Sequence, residues 1–246
     1  MGTHDIHIGT SGWHYHHWVG PFYPAGTPKN QMLQYYRGFF HTVELNNTFY
    51  QSPKQKTLAQ WKNTVGQDFV FSVKASRFIT HMKKLKNPRQ PVERFIELVR
   101  VLENSLGPIL FQLPPRWKAN PERLEAFLKE LPEGYRYAFE FRDHSWYQPG
   151  IYQLLKAYNA SFCIYHLDYH LSPLEVTSEL VYIRLHGPDG SYRGQYDDST
   201  IASWTSRIWE WAGEGKQVYC YFDNDEAGYA AQDAMRLEKM VEEQCK

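Results

Sequence analysis

Two glutamates, one histidine and three cations stand at positions where their side chains could share one task. Glu44 and Asn46 alternate with Val43 and Leu45, and Ser72 and Lys74 with Phe71 and Val73. Glu140 and Arg142 alternate with Phe139 and Phe141, and Tyr182, Arg184 and His186 with Val181, Ile183 and Leu185. A period of two places each polar set on one face of its strand. Glu44 and Glu140 are the acid and base candidates, since two carboxyls divide those roles when their surroundings separate their pKa values. His186 is the proton shuttle, completing the catalytic set. Lys74, Arg142 and Arg184 are suited to gripping an anion, the arginines in bidentate fashion. Asn46, Gln112 and Asn224 would orient it by hydrogen bonds, with His81 assisting and Trp13 and Tyr50 stacking from the loops. His166 and Asp168 belong to the same polar inventory. The competing reading is a self-neutralising salt-bridge network that fills the interior.

Strands and helices must present these residues, and they are readable. Apolar, β-rich runs occupy 6–10, 42–46, 69–74, 109–112, 137–141, 162–165, 181–185 and 218–221. Amphipathic helical stretches lie between them. Asn120-Pro121 starts one, with Leu124, Phe127, Leu128 and Leu131 on one face and Pro132 at its end. Pro91 opens another that carries its apolar stripe to Leu106, before Gly107-Pro108. Two more are built on Ile151, Leu154, Leu155 and Tyr158, and on Ile201, Trp204, Thr205 and Ile208. The stretch from Asp168 to Glu179 is short and polar, so the sixth helix is expected to be reduced or absent. Alternating strands and helices imply a parallel sheet. Gly9-Thr10-Ser11-Gly12 is not a dinucleotide loop, which favours a (β/α)8 barrel over an open doubly wound sheet. In a barrel the polar face must point inward, and the strand C-terminal ends carry the site. One domain over residues 1–246 is expected.

The 246 residues fit one such barrel, and 42% hydrophobic and 16% aromatic content supply its core. Lys+Arg and Asp+Glu are 27 each, so uniform polyanion binding over the whole surface is disfavoured. Cys163, Cys220 and Cys245 form no disulfide framework or CxxC pair, which fits a reducing, cytoplasmic setting. No signal peptide or membrane-spanning run is expected, and Ile6 breaks the myristoylation pattern after Gly2. Neither metal nor cofactor is expected: cations occupy the strand ends and no HExxH spacing occurs. His14, His16 and His17 read as a solvated loop. Lys74, Arg77, Lys83, Lys84, Lys86, Arg89 and Arg94 face only Glu93 in the 74–94 stretch. That run suits anion steering or a nucleic-acid backbone. No signal for an oligomeric state is present.

Motifs along nearly the whole chain resemble the YecE-like family, a domain of unknown function (number 72). They are Ile8-Gly9-Thr10-Ser11-Gly12-Trp13, Glu44-Leu45-Asn46-Asn47-Thr48-Phe49-Tyr50, and Phe71-Ser72-Val73-Lys74 with Thr80-His81. Phe111-Gln112-Leu113-Pro114-Pro115 and Glu140-Phe141-Arg142 with Ser145-Trp146 follow. Arg184-Leu185-His186-Gly187 and Tyr221-Phe222-Asp223-Asn224-Asp225 complete the set, with Ala231 and Ala234 downstream. The resemblance implies a (β/α)8 barrel and brings no established activity. Such barrels resemble the endonuclease IV and sugar isomerase group, which binds metals with clusters of His, Asp and Glu, whereas here Lys74, Arg142 and Arg184 occupy comparable strand ends. Asp223 stands where the family often has the first of two asparagines, adding a negative charge.

The leading expectation is a metal-independent enzyme acting by acid-base chemistry on a small anionic or phosphorylated substrate. Alternatives are a nucleic-acid binder or phosphodiesterase, a glycosidase-like pair of glutamates about 5–9.5 Å apart, or a non-catalytic ligand-binding barrel.

Overall fold

The computed structural model describes residues 6–244; Gly2 and Cys245 lie outside the described residues. The strands are β1 (Ile6–Ser11), β2 (Thr42–Leu45), β3 (Val70–Lys74), β4 (Leu106–Leu113), β5 (Tyr137–Phe141), β6 (Ser161–Leu167), β7 (His170–Leu171), β8 (Leu180–Leu185) and β9 (Gln217–Phe222). The helices are α1 (Met32–Tyr36), α2 (Asn47–Tyr50), α3 (Gln55–Val65), α4 (Arg89–Val99), α5 (Pro121–Leu128), α6 (Pro149–Ala157), α7 (Asp198–Gly213) and α8 (Tyr229–Glu243). The sheet order is β5-β4-β3-β2-β1-β9-β8-β6-β7, and β5 also pairs with β6. Apart from the short β7, that is the cyclic order of a closed, eight-stranded (β/α)8 barrel. All eight predicted strands are present.

The chain divides into two compact units, each assembled from separated stretches. The first comprises Met1–Glu44, Ile164–Leu174 and Val181–Lys246. In it β1 pairs with β2 and β9 in parallel, with Ser11 opposite Glu44 and Thr10 opposite Phe222. Gly9 is needed because a Cβ there would lie 2.4 Å from the Thr42 carbonyl oxygen. Buried Ala230, Ala231, Ala234, Leu237 and Val241 give α8 its apolar stripe. Asp197 caps α7 by accepting from Thr200 N–H at 2.7 Å. As the short, polar 168–179 stretch led us to expect, no helix lies between β6 and β8 among the described residues. Past β6 the chain turns back into β7, with Asp168 and Tyr169 both at positive φ in the two-residue turn.

The second unit comprises Leu45–Cys163 and Glu175–Leu180. Here β3, β4 and β5 pair in parallel, Lys74 opposite Leu110 and Gln112 opposite Glu140. Asn120 caps α5, accepting from Arg123 N–H at 2.8 Å, and Pro121 takes the first helical position. The helix expected to run to Leu106 stops at Val99. A 3-10 stretch follows, and Glu103 breaks it at φ 51° and ψ −124°. Gly107 and Pro108 therefore lie inside β4 rather than before it. The sheet accommodates Pro108, which has no N–H, with an irregularity: Phe71 pairs Leu106 but Val73 pairs Ile109.

Candidate functional site

Each unit holds its own polar cluster at strand C-terminal ends. In the first, the register sets Ser11 beside Glu44 on one face, and alternation along β8 turns Tyr182, Arg184 and His186 to a common side. Glu44 is 0% exposed and Arg184 is 1% exposed, so each needs compensation within the protein. Arg184 Nε donates to both Glu44 carboxylate oxygens, at 3.1 and 3.0 Å, and Nη2 donates to Oε1 at 2.7 Å. Tyr182 O–H donates to Oε2 at 2.7 Å, and Ser11 O–H to Oε1 at 2.5 Å. Burial and the Glu44 charge push the Tyr182 phenol up, which keeps it a donor.

Arg184 Nη2 also donates to Asp223 Oδ2 at 3.1 Å, so the same guanidinium holds this second carboxylate. His186 is buried. Its Nδ1 lies 3.0 Å from Asp223 Oδ2. Its Nε2 lies 3.3 Å from Arg184 Nη1. A guanidinium can only donate, so Nε2 is the acceptor and the imidazole proton sits on Nδ1, towards Asp223. The half-exposed Tyr192 ring meets His186 edge-on, with centroids 5.3 Å apart.

Asn224 is fully buried. Its amide nitrogen donates to the Gly194 carbonyl and to Asp233 Oδ2, both at 2.8 Å, and this ties the loop after β8 to α8. His166 Nδ1 lies 3.0 Å from the Tyr196 hydroxyl, which accepts from Gly187 N–H at 3.0 Å; burial lowers the His166 pKa. Asp168 accepts from the Ser191 hydroxyl at 2.5 Å. Trp13 is buried, and its carbonyl accepts from Tyr23 O–H at 2.5 Å. In the histidine-rich loop, His17 Nε2 contacts the Asp225 carbonyl at 2.5 Å.

In the second unit, the β3–β4–β5 register puts Lys74, Gln112 and Glu140 on one face, with Arg142 just beyond β5. Lys74 is buried, and its Nζ sits 4.5 Å from the centroid of the Phe49 ring, a cation–π contact. Thr48, beside Phe49, donates to the Lys74 carbonyl at 2.6 Å and fixes α2 against the strand end. The His81 ring meets Phe49 edge-on at 5.0 Å. Arg142 Nε bonds Glu140 Oε1, and Cys163 Sγ lies 3.9 Å from Oε2. Gln112 Nε2 donates to the Leu113 carbonyl at 3.2 Å. Burial first, then Lys74, Arg77 and Arg142, push the His81 pKa down to about 4, with Glu140 opposing. His81 is therefore neutral at pH 7, and Thr80 Oγ1 lies 2.9 Å from its Nδ1. Asn46 is half-buried at the start of α2, and Tyr50, 72% exposed, packs edge-on against Phe49.

The predicted residues thus gather as Glu44, Arg184 and His186 in one cluster and Lys74, Gln112, Glu140, Arg142 and His81 in the other. Ser11, Tyr182, Asp223 and Phe49 contribute contacts that sequence reasoning did not assign. Ser11 and Asp223 lie at strand ends where register alone would have found them. Among the described residues no group of three or more His, Cys, Asp or Glu could hold a metal ion, and no helix is long and apolar enough to cross a membrane. Cys163 and Cys220 are buried free thiols.

The family model described as "Protein of unknown function DUF72" matches residues 7–246. The UPF0759 protein YunF of Bacillus subtilis is 26% identical, over 96% of this chain and 95% of that protein. The UPF0759 protein YecE of Escherichia coli K12 is 29% identical, over 59% of this chain and 51% of that protein. A DUF72 family crystal structure from Thermotoga maritima superposes with a TM-score of 0.88 at 29% identity, covering 96% of this chain and 99% of the other. One from Enterococcus faecalis, at 22% identity and a TM-score of 0.82 over 96% and 95% of the two chains, shows the same fold.

Proposed function

The chain belongs to the DUF72 family of proteins of unknown function, and we propose that it is an enzyme that binds a small anionic or phosphorylated substrate and acts on it by acid-base chemistry. The observation that carries this reading is the set of cationic ends around His81. Lys74 closes β3 and Arg142 follows β5, and both depress His81. Oxygens of a phosphate or carboxylate would accept from the Lys74 ammonium and the Arg142 fork. Neutral His81 would offer a hydrogen bond to a substrate oxygen without adding charge, as other enzymes use an imidazole of lowered pKa. Glu140, already bonded to Arg142, is the base: an anion that draws on the same guanidinium frees carboxylate lone pairs for a proton. Gln112 and Asn46 are the orienting groups, with Tyr50 at the exposed rim.

In the other cluster, His186 with Asp223 is the proton-handling pair. Glu44, bonded to Arg184, Tyr182 and Ser11, is assigned to holding Arg184 in place.

The test is a phosphate titration followed at the His81 ring by NMR. An anion beside Lys74 and Arg142 offsets their charge, so phosphate should raise the His81 pKa above 4, and Lys74→Met should abolish the response. A thermal-shift panel of phosphorylated and carboxylate metabolites then names the substrate class, since a ligand at about 100 times its Kd adds ~2.7 kcal/mol. Insensitivity of both His81 and Tm to every anion would end this reading.

A further inference from the structure

The basic run after β3 lies outside the site just described. It forms one wall of a groove of about 1330 Å³ within the second unit, bounded by the turn after β3, the start of α4 and the outer side of α5. We propose that this groove docks a single-stranded nucleic acid through its phosphates, with one base stacked on Phe78.

Charge complementarity is the first argument. The rim carries Lys83, Lys86, Arg89, Arg94 and Arg123. Two carboxylates, Glu122 and Glu130, line the same groove, so cations dominate by five to two in a chain whose formal net charge is zero. A positive groove that tracks a backbone, with aromatic platforms for bases, is the general solution for single strands.

The second argument is the apolar component. Phe78 lines the groove and is 43% exposed, so its ring is reachable by a base. Lys83 Nζ lies 5.6 Å from the Phe78 ring centroid, so a base on that ring would have an ammonium beside its phosphate. An acidic peptide would use the cations and leave this ring idle.

The third argument is that the groove is built. Lys84, Leu85 and Asn87 all adopt positive φ, a conformation costly for residues other than glycine. Leu85 anchors that turn at 2% exposure, and Arg123 Nη1 donates to the Lys84 carbonyl at 3.4 Å, tying α5 to it. The first turn of α4 lines the groove through Arg89, Gln90 and Pro91 with no acidic residue, so its dipole favours phosphate there. The volume exceeds the ~300–1,000 Å³ typical of a drug-sized ligand, which suits a stretch of polymer.

The test is fluorescence anisotropy with a labelled ~12-nucleotide oligothymidylate, titrated between about 50 and 200 mM salt. The wild type should bind, with affinity falling as salt rises. Lys83→Gln/Lys86→Gln/Arg89→Gln should weaken binding at least tenfold and reduce the log–log salt slope by about 2, at ~0.7 per cation lost. Phe78→Ala should weaken binding ~5-fold or more while leaving the salt slope unchanged. Thermal unfolding of each variant confirms that the fold is retained. Absence of binding by the wild type, binding indifferent to the triple substitution, or competition by poly-glutamate equal to that by unlabelled oligothymidylate would each overturn the proposal.

Discussion

Arg184 and Glu44 meet through three hydrogen bonds: Nε to both carboxylate oxygens at 3.1 and 3.0 Å and Nη2 to Oε1 at 2.7 Å, with both side chains out of contact with water. Removing one member of such a pair leaves a buried charge without its partner. Arg184→Met and Glu44→Gln should each destabilise the protein by ~3–5 kcal/mol in urea unfolding. The combined Glu44→Leu/Arg184→Met variant should recover part of that loss, because neither charge remains. Recovery should be incomplete, since Asp223, Tyr182 and Ser11 also bond this pair. Additive losses in the double variant would show that the pair is not the coupled unit inferred here.

His81 predicts a specific acid sensitivity. Its folded pKa of about 4 lies below the ordinary 6.5, so the folded state favours the neutral ring. The unfolded state binds the proton more tightly, and stability must fall as pH drops from 6.5 towards 4. Above 6.5 the residue contributes no slope. His81→Asn should flatten the Tm–pH profile within that window and leave it unchanged at pH 8. Lys74→Met removes one of the depressing charges, so the His81 resonance should titrate at higher pH. A His81 that titrates near 6.5 in the wild type would contradict the electrostatics of this cluster.

Much of this arrangement was legible in the residues. Alternation of Glu140 with Phe139 and Phe141, and of Arg184 with Ile183 and Leu185, reports which face of a strand is polar, because desolvation forbids a charge against the helices. The eight strands and the missing sixth helix follow from the same patterning. Partner choice was only half legible. Glu140 is held by Arg142, two residues on along the same polar face, but Glu44 is held by Arg184, 140 residues away, and that depends on how strands far apart in the chain are brought together. Asp223 read as an added charge, and only its contacts with Arg184 and His186 give it a partner. Phe49 was outranked by its exposed neighbour Tyr50, although the cation and the imidazole both lie against Phe49. The end of α4 was missed because Leu102 and Leu106 continue a helical stripe that Glu103 interrupts through its backbone.

Glu238, on α8, should act in the opposite direction from His81. Burial, reinforced by Glu242, raises its pKa from 4.5 to about 7. The folded state therefore favours the protonated acid, a contribution present below pH 4.5 and lost as pH rises through 7. Glu238→Gln should raise Tm at pH 8 by a few degrees, given ~2–4 °C per kcal/mol for a chain of this size, and should change it little at pH 4.5. Glu242→Gln should move the Glu238 titration to lower pH. An equal effect of Glu238→Gln at both pH values would assign the change to packing and not to ionisation.

Gly187 and Gly190 allow backbone strain to be separated from steric exclusion in the loop that carries Tyr192 and Tyr196. Both adopt positive φ, +110° and +105°, which disfavours any residue with a side chain. A Cβ on Gly190 would meet nothing within 4 Å, whereas one on Gly187 would lie 2.1 Å from the Arg193 carbonyl oxygen and 2.8 Å from its nitrogen. Those are backbone atoms and cannot rotate away. Gly190→Ala should therefore cost only the conformational strain, on the order of 1–3 kcal/mol. Gly187→Ala should cost more, because the loop must also move. Gly187 N–H donates to the Tyr196 hydroxyl that faces His166, so the displacement should reach that imidazole. The expected signature is a larger loss in urea unfolding for Gly187→Ala together with a shifted His166 titration, neither seen in Gly190→Ala. Equal losses in the two variants, with His166 unmoved in both, would mean that the close approach to Arg193 does not hold this loop.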